Sequence, residues 1–437
     1  MAASETATKL YPDMSKLIGS GQYKKVYGAT NVKGLNDESI GIKSDVSPEN
    51  VVVAVCETSI SNGIIGSRII DEIILQNEFS RKTPQLAPLV YGVVVKTRAG
   101  TITRYAGEDL VAGTELSRIN HVTSTLSRGD LIYIYQQMCD SDLSKHIKYN
   151  LTAIKKHHPD FIASDTMRFI EDIHTSIKTL FGNIVESGYI GIDIKSGNIC
   201  HFNGSESSEP VNIGLDMDPA FTYPFEKKLR EADPPIEKIT SDFSEHATIF
   251  MLIEYYIVFT YIHKEHTDIV SRLLTQDGIG CAQIFEMLRF MKEMENPKYG
   301  NIFEYESERF TPLFMLKHYL SFNMKNEIAQ NIINRMHSEG KTVSKDDITQ
   351  IMEEAYNEAT FKINRMPLEA LATKICEILG LPSTPNVGVF TSMSNKKDTS
   401  IKPAGSRRPR KMNSRKKHLN KRTHKTINAR TSKSNSK

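Results

Sequence analysis

The chain has 437 residues, of which 39% are hydrophobic and 24% charged, enough for two or three compact units with a sizeable core. Its net charge of +3 hides an asymmetry: residues 396–437 hold 16 Lys or Arg against one acid, Asp398, giving this arm about +15 and the rest of the chain about −12. The five cysteines (Cys56, Cys139, Cys200, Cys281, Cys376) form no C-x-x-C pair and no metal-ligand spacing, which suits a reducing, intracellular compartment and argues against a disulfide framework or a zinc site.

The N-terminus, Met1-Ala2-Ala3-Ser4-Glu5, has no basic segment followed by an apolar run, so no signal peptide is expected. Residues 16–30 read as strand, turn and strand around Gly19-Ser20-Gly21. Glycines there let backbone N–H groups approach phosphates, because no Cβ stands in the way. The run Val51-Val52-Val53-Ala54-Val55-Cys56-Glu57 has the β-branched content of a buried strand. Residues 67–81 carry helical apolar spacing (Ile69, Ile70, Ile73, Ile74, Phe79), with Glu72 and Glu78 among the acids. Two further strands, residues 89–95 and 131–135, precede Gln136-Gln137-Met138-Cys139-Asp140-Ser141-Asp142. Asp142 is placed to cap the following helix.

Residues 165–187 form an amphipathic helix capped by Ser164 or Asp165 and stopped by Gly188. It leads into Gly191-Ile192-Asp193-Ile194-Lys195-Ser196-Gly197-Asn198, and the apolar run 211–215 then leads to Asp216. Residues 247–262 are a mainly apolar run that contains Glu254 and falls short of the ~18–20 needed to cross a bilayer, so a buried helix is expected. Several helices follow through about Leu381, one opened by the capping pair Ser344 and Asp347. Beyond Pro382 the chain is polar and basic and should be disordered.

An acid, a lysine two residues on, an asparagine five on and a second acid after a hairpin resemble the protein-kinase catalytic loop and its metal-binding acid. The order of the other segments fits the same family. Two departures occur together: the strand that ordinarily carries the phosphate-binding lysine ends in Cys56, and Lys24 stands where the third glycine of the hairpin belongs. That pairing resembles the with-no-lysine (WNK) kinases, and the divergence overall resembles kinases encoded by large DNA viruses. The resemblance covers about residues 17–262.

It implies an α+β, bilobal fold: an N-terminal extension (1–14), a β-rich N-lobe with one regulatory helix (15–138), a helical C-lobe (139–382) and a basic tail (383–437). It implies ATP bound by Gly19, Ser20, Gly21, Lys24, Val26, Ala54, Gln137 and Cys139. Glu72 would pair with Lys24, with Glu78 the reserve, Gln136 would be the gatekeeper, and Asp142 would contact ribose or only cap its helix. Asp193 would orient the acceptor hydroxyl, Lys195 would neutralise the γ-phosphate, and Asn198 and Asp216 would hold Mg²⁺. The acceptor would be a protein Ser or Thr. Gly191-Ile192 replaces the usual His-Arg, which implies little dependence on activation-loop phosphorylation. Asp218, in Asp216-Met217-Asp218, is either an added metal ligand or a turn residue. A non-transferring pseudokinase scaffold and a nucleic-acid-associated structural protein are the competing expectations. The arm at 396–437 lacks interleaved aromatics, so its expected partners are phosphate backbones or anionic surfaces, bound non-specifically and salt-sensitively.

Overall fold

The computed structural model describes residues 8–20, 24–32, 38–57, 64–106, 126, 129–157, 162–202, 211–214, 217–218, 220–231, 240–299, 301–305 and 309–382. The chain divides into a unit spanning Met1–Pro385 and a second, Asn386–Lys437, which lies outside those residues together with Gly21 and Asp216.

The N-terminal half is a seven-stranded antiparallel sheet in the order β3-β1-β2-β4-β7-β5-β6. Its strands are β1 (Thr8–Ser20), β2 (Lys24–Thr30), β3 (Ile42–Ser44), β4 (Val51–Glu57), β5 (Val90–Lys96), β6 (Ile102–Ala106) and β7 (Leu131–Gln137). Strand β4 lies near the middle and is covered on both sides. Ala54 and Cys56 pack with Ile69, Ile70 and Ile73 of α1 (Ile64–Ser80), while Val51 and Val53 pack with Leu10, Ile42 and Tyr135 on the opposite face. Burial on both faces is why β4 reads as an unbroken apolar run instead of an alternating one. Helix α1 starts three residues earlier than its apolar spacing predicts.

The C-terminal half is helical: α2 (Leu143–His157), α3 (Ile162–Glu186), α4 (Phe225–Glu231), α5 (Thr240–Ile262), α6 (Thr267–Gln276), α7 (Cys281–Met294), α8 (Pro312–Ser338), α9 (Lys345–Asn364) and α10 (Leu368–Ile378). Helix α5 runs through its centre, and Phe250, Met251, Ile253, Tyr255, Tyr256 and Ile257 are all buried. That all-round burial accounts for its lack of a polar face. Helix α3 also starts three residues ahead of its expected cap, because Ala163 and Ser164 contain no breaker. It stops where expected. Gly188 adopts φ +84°, its N–H donates to Val185 O at 2.9 Å, and the Tyr189 N–H donates to Ile184 O at 3.2 Å, a Schellman closure. Ser344 caps α9 reciprocally with Asp347.

Two small sheets lie in the C-terminal half and carry the loops of interest. Strand β10 (Ile199–Phe202) lies between β11 (Val211–Gly214) and β8 (Ser141–Asp142), and β9 (Ile190–Gly191) pairs with β12 (Thr222–Tyr223).

The expectation of unbridged cysteines is corrected. Cys139 is bonded to Cys200 and Cys281 to Cys376, with Cα separations of 5.7 and 5.9 Å, and Cys56 alone is free. The partners are 61 and 95 residues apart in sequence, so no local spacing reveals them. The β8–β10 pairing brings the first two together, and α7 packing against α10 brings the second two. Among the described residues no helix is long and apolar enough to cross a membrane, and no group of three or more His, Cys, Asp or Glu could hold a metal ion.

At β10, the rings of His146 and His201 lie against each other, tilted by 34°, with centroids 3.6 Å apart. Burial, and secondarily His201, lowers the His146 pKa to about 4. Between an ordinary histidine value near 6.5 and about 4, the unfolded chain therefore binds the proton and the folded chain does not. Stability should fall as pH drops through that window. Thermal melts at pH 7 and pH 5 check this, and His146→Phe should flatten the acid slope; an unchanged slope would refute it.

Candidate active site

The sheet corner forms first. Strand β2 pairs with β4 in a register that sets Lys24 opposite Cys56, Lys25 opposite Val55 and Val26 opposite Ala54. Paired residues share a face, so Lys24 and Cys56 point to the side covered by α1. There the Lys24 ammonium forms an ion pair with Glu72 Oε1, the Glu72 side chain being only 10% exposed. Burial pushes the Cys56 thiol up to about 12, an effect the nearby Lys24 opposes and Glu72 reinforces. Val26 packs against the cluster that contains Ala54. Gly19 sits in β1 with no atom within 4 Å of where a Cβ would stand, Ser20 ends that strand, and Gly21 lies outside the described residues. The reserve acid, Glu78, instead accepts from Tyr189 OH and pairs with Lys82.

At the junction of the halves, Gln136 Oε1 accepts from Gln76 of α1 at 3.2 Å. The N–H groups of Gln137 and Met138 donate to Leu89 O (2.8 Å) and Asn50 O (2.9 Å). Two of the three N–H groups in this segment are thus used inside the protein. Cys139 is also tied to Cys200, two residues beyond Asn198. Asp142 accepts from the Lys145 N–H at 2.8 Å, the capping role expected of it.

The loop after β9 holds the charged cluster. Asp193 adopts φ +65°, a left-handed conformation that costs a non-glycine residue ~1–3 kcal/mol and persists only where the surroundings enforce it. Here they do. The Asp193 N–H donates to Glu254 Oε1 at 3.0 Å, and Asn198 Nδ2 donates to the Asp193 carbonyl at 3.1 Å. Lys195 Nζ lies 3.0 Å from both Asp193 carboxylate oxygens, and Asn198 Nδ2 lies 3.3 Å from Oδ2. Both partners of the Asn198 amide nitrogen are acceptors, so its amide oxygen is turned away from Asp193. A short turn, Ser196–Asn198, carries the asparagine back beneath the acid. Asp193, Lys195 and Asn198 are therefore brought together; Asp216 lies outside the described residues.

Three residues of this site carry no motif. Glu254, in the middle of α5, is completely buried, and burial raises its pKa well above the ordinary carboxylate value. Its one sequence signal is an acid in an otherwise apolar run, which a folded chain tolerates only when the acid is hydrogen-bonded. Tyr319, in α8, donates its hydroxyl to Asp193 Oδ1. Arg68, in α1, grips both carboxylate oxygens of Asp218, with Nε to Oδ1 at 2.9 Å and a terminal nitrogen to Oδ2 at 2.6 Å. Asp218 Oδ1 also accepts from the Ala220 N–H at 2.9 Å, so this carboxylate closes a turn and bridges to α1.

The Arg68–Asp218 bridge ties Asp218 to α1 by a carboxylate–guanidinium pair, without any phosphate. Disrupting it with Arg68→Ala or Asp218→Asn should lower any phosphoryl transfer about ten-fold, the worth of one charge-assisted pair. The exchanged pair Arg68→Asp with Asp218→Arg should recover part of the loss, and phosphatase treatment of the wild type should change little. A phosphatase-abolished activity would refute this.

No protein-family model and no curated protein matches the chain. Among solved structures it is similar to the MAP kinase LmaMPK10 from Leishmania major, at 13% identity and a TM-score of 0.27. That similarity covers 56% of this chain and 56% of the Leishmania protein, so the match spans little more than half of either.

Proposed function

We propose that the chain is an ATP- and Mg²⁺-dependent Ser/Thr protein kinase in which Lys24 replaces the missing strand lysine. The observation that carries this reading is the Lys24–Glu72 ion pair, formed opposite Cys56 at the edge of the hairpin and held by α1. An ion pair there, together with a loop that gathers Asp193, Lys195 and Asn198, would give phosphoryl transfer the positioned charges it needs.

In this reading Gly19, Ser20, Gly21 and Lys24 receive the phosphates, and Val26 and Ala54 form an apolar surface for the base. Within the backbone of Gln137 to Cys139, the groups not engaged in the protein's own hydrogen bonds take its polar edge. Lys195 neutralises the γ-phosphate, and Asp193 orients the hydroxyl of a protein Ser or Thr. The donor set suits a hard cation: the Asn198 amide oxygen is turned outward, and Asp216 is placed by sequence to join it. When bound, Mg²⁺ neutralises charge on the phosphates.

The competing reading is a scaffold that binds without transferring, and the contact of Tyr319 with Asp193 favours it. Incubation of the full chain with γ-labelled ATP, Mg²⁺ and dephosphorylated casein decides between them, with Asp193→Asn as the blank. Label on casein above the blank is the expected result. Its absence, with nucleotide binding intact, would leave the scaffold.

A further inference from the structure

The Asp193 carboxylate has no room for an acceptor. Oδ1 accepts from Lys195 and from the Tyr319 hydroxyl, and Oδ2 accepts from Lys195 and Asn198. A carboxylate offers about four lone-pair positions, and each is matched by a donor. A Ser or Thr hydroxyl can reach Asp193 only by replacing one of them. Lys195 and Asn198 belong to the same loop and are fixed near the acid by the chain itself. Tyr319 arrives from 126 residues away.

It is also the one donor with the same chemistry as the acceptor, a neutral O–H. Its helix is fastened along the same face: Asn323, one turn on, donates to Ile257 O at 3.3 Å, and Asn326 donates to Tyr261 OH at 2.8 Å. Residues 319, 323 and 326 follow helical i, i+4, i+7 spacing, so one face of α8 carries both the fastening to α5 and the hydroxyl on Asp193.

We propose that Tyr319 is a specificity-determining residue of the acceptor site: its phenol occupies the position of the acceptor hydroxyl, and a substrate must displace it. This rests on the kinase reading above. Side chains that enter beside α8 would compete with a hydroxyl already bound, so acceptors with extra binding energy outside the reacting residue are selected over isolated Ser or Thr.

The test is steady-state transfer from γ-labelled ATP to dephosphorylated casein by the full chain, compared with Tyr319→Phe. The variant should raise kcat/KM for casein about ten-fold, the equivalent of one hydrogen bond to a charged group. The gain should appear in KM for casein, with KM for ATP unchanged. The double variant Asn323→Ala, Asn326→Ala loosens α8 without touching Asp193 and should shift casein KM in the same direction. It decides the matter if Tyr319→Phe fails to fold. A fall in kcat at constant casein KM would make Tyr319 a positioning residue and overturn the proposal, as would wild-type kinetics in both variants. If wild type and variants all fail to transfer phosphate, the proposal falls together with the kinase reading.

Discussion

Lys24→Ala should lower phosphoryl transfer by ~10²–10³-fold, the range seen when one fixed donor to a reacting oxyanion is lost, while Lys25→Ala leaves it nearly intact. The difference lies in the pleat. Neighbouring residues of a strand point to opposite faces, and the register that sets Lys24 across from Cys56 turns Lys25 outward, where it is exposed. Only Lys24 reaches Glu72. Glu72→Gln should therefore lower activity as well, by about ten-fold, since the amide still accepts a hydrogen bond but no longer holds the ammonium by charge. A sharper arm of the same experiment moves the cation back to the strand. Cys56 is buried on the Lys24 face and lies within electrostatic reach of Glu72, so Lys24→Ala with Cys56→Lys should recover about ten-fold over Lys24→Ala alone, the worth of the restored charge-assisted pair. Activity of Lys24→Ala close to that of wild type, read as kcat/KM for ATP, would remove Lys24 from the phosphate site.

The parts of this site that lie close together in the chain are legible in its sequence. The spacing of Asp193, Lys195 and Asn198 is local, whereas which of Lys24 and Lys25 faces α1 depends on the register of β2 with β4. The apolar run around β4 and the long apolar stretch of α5, interrupted by Glu254, each announce an element buried on every side. What stayed hidden depends on long-range packing. The Cys139–Cys200 and Cys281–Cys376 bonds join segments with no local pattern in common. Tyr319 is one aromatic among several along α8, and nothing near it in the chain marks a face turned towards Asp193. Arg68 and Asp218 lie 150 residues apart, and their bridge forms only once α1 settles beside the segment after β11. Glu254 is the intermediate case. A single acid among apolar neighbours signals a buried partner, but only the fold names the partner as the Asp193 backbone.

Glu254 also supports the second large prediction. Glu254→Ala should destabilise the fold by ~3 kcal/mol and lower transfer ~10²-fold, because it strands the Asp193 N–H and frees a residue held in a strained conformation. Glu254→Gln should do far less. Burial holds the Glu254 carboxyl neutral well above the usual carboxylate range, so an uncharged amide of the same shape keeps the acceptor that the Asp193 N–H needs. The pH dependence separates this from simple packing loss. From about 4.5 upward the unfolded chain releases the Glu254 proton and the folded chain retains it. Rising pH therefore favours the unfolded wild type until the raised pKa is passed. Gln cannot titrate, so the stability of Glu254→Gln relative to wild type should climb over that interval and then level off. Urea midpoints measured from pH 4.5 to 8 read this directly. If Glu254→Gln proves as damaging as Glu254→Ala at every pH, the carboxyl is ionised in the fold and holds Asp193 by its charge.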